Sequence, residues 1–314
     1  MVQSFMKSIA LRTGRFAVQG LVLTALLTGV MAAAAADGGV TAPGAKVERL
    51  AGDCKFTEGP TADAAGNVLF TDQPNDRILK WGVEGRLSVY LEPAGRANGM
   101  CFDAQGQLVV CADENNELWS ISPEGKKTVL LSEYKGKRLN GPNDVWVRPG
   151  GGLYFTDPFY KRSWWQHSQM PQDGQHVYYL APDRRTLSRV TDDLKTPNGI
   201  VGTPDGALLF VADLGAGKTY QFDIQPDGRL ANKRLFCELG SDGMTLDQEG
   251  NLYLTGKGVF VFDRKGTQIE HIDLPEPWTA NVCFGGADRQ TLFITASKGL
   301  YAIRTRVAGT KQGK

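Results

Sequence analysis

The chain has 314 residues, 41% of them hydrophobic, enough to bury a sizeable core in one or two domains. Thirty-five Lys and Arg against 34 Asp and Glu leave a net charge of +1 with no block of like sign. Nothing therefore points electrostatically to nucleic acid or to an anionic membrane, and a small-molecule partner is expected.

At the N-terminus, Lys7, Arg12 and Arg15 precede an apolar run from Phe16 to Ala32, closed by Ala33-Ala34-Ala35-Ala36. A basic start, an apolar stretch and a small-residue end make residues 1–36 a secretory signal, so the folded part is expected to be periplasmic or secreted. The alternative is an uncleaved anchor, since the run approaches the ~18 residues that span a bilayer. Beyond this segment no membrane association is expected. Residues 37–45, rich in Gly, Ala and Pro and without periodicity, read as a linker.

Structure is expected from Lys46, where Lys46-Val47-Glu48-Arg49-Leu50 alternates polar and apolar residues as an edge strand does. A pattern then recurs, best seen in Asp242-Gly243-Met244-Thr245-Leu246-Asp247-Gln248-Glu249-Gly250-Asn251-Leu252-Tyr253-Leu254-Thr255. An oxygen-bearing residue opens a short apolar strand, a turn usually carrying Gly follows, and a second strand returns. The copies begin at Glu58, Asn98, Asn143, Asn198, Asp242 and Asn281, spaced by 40, 45, 55, 44 and 39 residues. That period, with third strands such as Val259-Phe260-Val261-Phe262 and fourth strands such as Thr128-Val129-Leu130-Leu131, predicts an all-β, six-bladed propeller over residues 46–304. The sixth unit lacks its fourth strand. Residues 46–50 are free to supply it, pairing near Leu300 to Ile303 and closing the ring, so that 305–314 remain as a tail.

The long interval falls within Pro158 to Gln175, between the second and third strands of blade three, and a long loop in a compact fold is usually functional. It carries Trp164, Trp165 and His167, which suit a lid or an apolar wall over a ring substrate; a loop folded onto its own blade is the alternative. The five cysteines contain no CxxC pair and three sit at strand positions, so buried free thiols are expected rather than a disulfide framework or a zinc site.

First strands line a propeller's channel, so Glu58, Asn98, Asn143, Asn198, Asp242 and Asn281 form a ring of carboxylates and amides. The plainer explanation, turn dipeptides such as Asn-Gly and Asp-Gly, leaves Glu58, Asn143 and Asn281 unaccounted for. Two crowded carboxylates call for a proton or a cation. An all-oxygen ligand set suits Ca²⁺ best, with Mg²⁺, Mn²⁺ or Zn²⁺ as alternatives. Second-strand ends return Asp72, Asp113, Asp157 and Asp213 to the same face, as hydrogen-bonding groups for strand ends; Asp157, beside the long loop, is the one expected to meet substrate.

Residues 46–303 resemble the family of senescence marker protein, gluconolactonase and luciferin-regenerating enzyme. The motifs that carry the resemblance are Thr57-Glu58-Gly59-Pro60, Leu139-Asn140-Gly141-Pro142-Asn143-Asp144-Val145, Thr196-Pro197-Asn198-Gly199-Ile200, Ser241-Asp242-Gly243-Met244 and Asn281-Val282-Cys283-Phe284-Gly285-Gly286. The resemblance implies a six-bladed propeller that hydrolyses a lactone or an organophosphate with one divalent metal ion. It implies Glu58, Asn198 and Asp242 as metal ligands, with Asn143 as a fourth ligand or a substrate-contacting amide that serves catalysis; Asn98 and Asn281 complete the ring but are less regular in the family, and are read as supporting or substrate contacts. The family's substrate-binding Arg falls on Gly141, so that contact is absent or supplied by Arg138. His167 completes the expected substrate wall. The reading is hydrolysis of a sugar-type lactone with Asp242 as general base and Glu58 as second choice. The rivals are a phosphotriesterase and a non-catalytic binding propeller. No GxSxG occurs, which argues against a serine esterase.

Overall fold

The computed structural model describes residues 39–310, and the expected leader at 1–36 lies outside them. Six antiparallel sheets of four strands follow one another along the chain. Their innermost strands are Thr57–Ala62, Ala97–Phe102, Val145–Val147, Pro197–Gly202, Met244–Leu246 and Thr279–Gly285. Each blade then runs outward through a second, third and fourth strand, as in Val68–Asp72, Arg77–Trp81 and Leu87–Leu91 of the first. The expected propeller is therefore the observed one.

The ring closes as the missing fourth strand predicts. Glu48–Ala51 pairs antiparallel with Gly299–Arg304, Glu48 opposite Ala302 and Arg49 opposite Tyr301. Closure by a strand from the other end of the chain gives the sixth blade its outermost strand and covers the outer edge of its third.

The stretch read as a linker is more than a connection. Val40 is buried against the core of blades five and six. The Val40 N–H and the Thr41 hydroxyl both donate to the Glu270 carboxylate, and Thr41 bridges Thr305. The residues read as a tail behave alike: Gly309 bridges Asp247, and the Thr310 N–H donates to the Leu246 carbonyl at 3.1 Å. Short segments without periodicity still hold one conformation when neighbouring sheets satisfy their backbone groups, information that no local pattern carries.

The core lies between blades, in apolar clusters such as Cys101, Val109, Phe155 and Tyr178 between the second and third. All five cysteines are buried thiols outside any disulfide. Burial pushes the thiol of Cys54 up to about 11 and that of Cys101 to about 12, so they pack as small apolar side chains.

Two devices bring the inner strands together at the axis. The second-strand threonines reach the next blade: the hydroxyl of Thr156 donates to the Asn198 carbonyl at 2.8 Å and that of Thr255 to the Ala280 carbonyl at 2.9 Å. Glycine then removes the side chain that would hold the blades apart. A Cβ on Gly59 would lie 2.0 Å from the Asn98 carbonyl oxygen, and one on Gly243 would lie 2.0 Å from Cγ of Asn281. Of the four Xaa-Gly pairs in the ring, only Gly59 has positive φ. Close approach, rather than turn conformation, explains the Gly that follows most ring residues.

Candidate functional site

At the ring the strand ladder is interrupted. Register shifts fall between Glu58 and Thr61, Ala97 and Met100, Pro197 and Ile200, and Thr279 and Asn281. In blades three and five the ladder begins only after Asn143 and Asp242. A bulge of this kind re-aims a side chain, which is how strand residues come to face the axis rather than a neighbouring sheet.

The six ring residues are all buried, each at or just before the innermost strand of its blade. Asn198 Nδ2 donates to Asp242 Oδ1 at 2.7 Å and to the Tyr160 hydroxyl at 2.7 Å. With both amide protons so used, the carboxamide is fixed, and its Oδ1 is buried without a partner. Asp242 Oδ2 accepts from Trp278 Nε1 at 2.7 Å. Glu58 Oε2 accepts from the Gly59 N–H at 2.9 Å. The side chains of Asn98 and Asn143 make no hydrogen bond to protein among the described residues.

Asp144 belongs to the ring and was missed by the sequence reasoning. It takes the place that Gly holds after Glu58, Asn98, Asn198 and Asp242, and that break in the repeat was the available signal. Its Oδ1 would be 2.4 Å from a Cβ on Gly99, and Asn281 Nδ2 lies 3.5 Å from its Oδ2. Blades three and six therefore meet across the axis. Burial raises the Asp144 carboxyl to about 7, opposed by the Val145 amide and Asn281 and reinforced by Asp242. Burial likewise raises Asp242 to about 6, opposed by Trp278 and Asn198 and by the charge of Arg162. Glu58 is raised well above the usual carboxylate range by burial first, and then by the charge of Asp242.

Other expected contacts are corrected. Asp157 is fully buried, and its oxygens accept from the Asn140 and Gly141 N–H groups at 2.9 and 2.8 Å. Asp72 and Asp213 accept from equivalent backbone amides of their own blades. Asp157 is thus a strand-end clamp and not a substrate contact. The exception is Asp113, which takes Arg162 Nε at 2.9 Å and Gln73 Nε2 at 3.2 Å. Arg138 is exposed on a two-stranded hairpin opposite Glu133, and its carbonyl accepts from Gln172 Nε2 at 2.8 Å. His167 stacks on Trp165 at 4.9 Å, and its buried ring nitrogens have no hydrogen-bond partner among the described residues. Burial and the charge of Arg138 lower its pKa and favour the neutral ring.

The long loop reaches across neighbouring blades instead of folding onto its own. Trp165 Nε1 donates to the Asp113 carbonyl at 2.6 Å, and its ring lies 2.8 Å from where a Cβ on Gly141 would stand. Tyr160 contacts Asn198 of the next blade. The sequence marked this loop as functional but could not say which of its residues reach the ring. Trp278 left no repeat signal.

Among the described residues no group of three or more His, Cys, Asp or Glu side chains is arranged to hold a metal ion unaided. A cation would depend on the amide oxygens too. The unpartnered Oδ1 of Asn198 and three carboxyls raised by burial are the oxygen-only donors a hard divalent cation favours, so the residues present fit one.

Comparison with known proteins decides the kinship, because residues 56–298 match the SMP-30/Gluconolactonase/LRE-like region. The chain belongs to the SMP-30/gluconolactonase/LRE-like family. A gluconolactonase of Zymomonas mobilis is 29% identical over 294 residues, covering 84% of this chain and 82% of its own. The solved structure of a gluconolactonase from Xanthomonas campestris superposes with a TM-score of 0.78 at 31% identity, covering 85% of this chain and 91% of that one. A calcium-binding regucalcin from Agrobacterium tumefaciens shares the fold, with a TM-score of 0.70 at 19% identity over 84% of this chain and 94% of that one.

Proposed function

We propose that the protein hydrolyses a sugar-type lactone at the ring, with one divalent ion, Ca²⁺ by the hardness of the donors, held by Glu58, Asn198 and Asp242 with Asn143 nearby. The observation that carries this is the Asn198 carboxamide, whose Oδ1 is buried and unpaired beside Asp242. Kinship with gluconolactonases supports the substrate class. A phosphotriesterase gains no support from these relatives. The leader-like residues 1–36 support action in the periplasm or outside the cell.

An ion bound there would supply Lewis acidity towards the lactone carbonyl. Asp242 is the base. Its carboxyl, raised to about 6 by burial, is ionised at neutral pH and yet basic enough to take a proton from the attacking water. Trp278 and Asn198 hold its two oxygens, so the carboxylate keeps one orientation. Water oxygen adds to the carbonyl carbon, the ring C–O bond breaks, and the proton returns to the leaving ring oxygen, giving the open hydroxy acid. Tyr160, kept as the phenol by burial and by the charge of Asp242, orients Asn198. The test is acid release from a panel of lactones, with chelator-treated protein before and after Ca²⁺ is restored. No release from any lactone under either condition would overturn the proposal.

A further inference from the structure

Arg162 is the cation of the long loop that faces the ring. Its guanidinium lies over the Tyr160 ring at 5.3 Å, and the Tyr160 hydroxyl is 2.7 Å from Asn198 Nδ2. One nitrogen, Nε, is used by the buried Asp113 at 2.9 Å. The two Nη groups have no hydrogen-bond partner among the described residues, while the side chain is only 23% exposed. A guanidinium with Nε committed and two Nη groups unused by protein keeps donors for a ligand.

The chemistry of the surroundings narrows what those forks bind. Asp113 already offsets the charge of Arg162, so a carboxylate or phosphate finds no uncompensated cation there. What remains is a neutral molecule with acceptor oxygens. Tyr160 and Trp165 add flat apolar faces beside it, with Trp165 fixed through Nε1 to the Asp113 carbonyl. The combination suits a neutral ring bearing several hydroxyls.

We propose that Arg162 is the specificity-determining residue of this site, its two Nη groups donating hydrogen bonds to the hydroxyl oxygens of a polyhydroxylated lactone. The inference rests on lactone hydrolysis at the ring. Loss of hydrogen bonds from a charged donor costs about 10- to 100-fold in kcat/KM.

The experiment compares glucono-δ-lactone with δ-valerolactone, which has the ring and no hydroxyls, in wild type, Arg162→Met and Arg162→Lys. Removal of Arg162 alone leaves the buried Asp113 without its ion-pair partner, so the double variant Asp113→Asn/Arg162→Met is measured as well. The expected result is that the preference for glucono-δ-lactone falls at least 10-fold in both Met variants, carried mainly by KM, and partly returns with Lys. An unchanged preference, with both lactones losing alike or neither losing, overturns the assignment of Arg162. Wild type that hydrolyses neither lactone overturns the reaction itself, and the assignment falls with it.

Discussion

Asn198 gives one amide proton to Asp242, at 2.7 Å, and that single bond orients both members of the ring's central pair. The carboxamide is left with an oxygen that no described residue satisfies. A buried acceptor without a partner costs about 1–3 kcal/mol, so its retention points to a ligand that repays it.

Asn198→Leu keeps the volume and removes both functions of the amide. Calcium affinity of the purified protein, measured by calorimetry, is expected to fall ~10²-fold or more, beyond what loss of a mere supporting bond produces. Unchanged affinity would remove Asn198 from the ligand set.

Trp278 holds the other side of the pair. Its indole N–H favours the charged form of Asp242, so Trp278→Phe raises the carboxyl further above about 6. The acid limb of the kcat/KM profile is expected to move up by about 1 unit, since a hydrogen bond to a charged group is worth ~1.5 kcal/mol. A limb that stays in place would show that Asp242 is not the group titrating there.

Asp144 links the ring to stability. Its pKa is raised from 3.8 to about 7, so the native state binds its proton more tightly than the unfolded chain does. The contribution is fully present below the unfolded value and is lost as pH rises through about 7. In chelator-treated protein, Asp144→Asn should therefore stabilise at pH 8 by roughly 3 kcal/mol, a gap that closes towards pH 4. Urea unfolding across that range checks it; a gap independent of pH would count against burial of the charged carboxylate as the cause.

Gly243→Ala tests the close approach of blades five and six. The new methyl would meet Cγ and Oδ1 of Asn281 at 2.0 Å, so the amide and its contact with Asp144 must shift. Overpacking of this kind costs about 1–3 kcal/mol, and lactonase activity should fall with it. Full stability and activity would mean that the inner strands part more easily than their packing suggests.

The sequence by itself determined the propeller, its four-stranded blades and the strand that closes it, because alternation and a repeated oxygen-bearing residue are local signals, readable at a fixed period. It also determined that Glu58, Asn98, Asn143, Asn198, Asp242 and Asn281 share one ring, since equivalent positions around a closed axis must converge. Only the tertiary structure decided how the oxygens are used. Asp157 and Asp113 hold the same place in the repeat, yet one is consumed by its own blade's amides and the other by Arg162 from a neighbouring blade's loop. The roles of Asp144, Tyr160, Arg162 and Trp278 depend on contacts between residues 36 to 137 positions apart or on a loop outside the repeat. Nothing in local spacing encodes such contacts; they follow from which blades are neighbours or face each other across the axis, and from the side chains that fill what the glycines leave open.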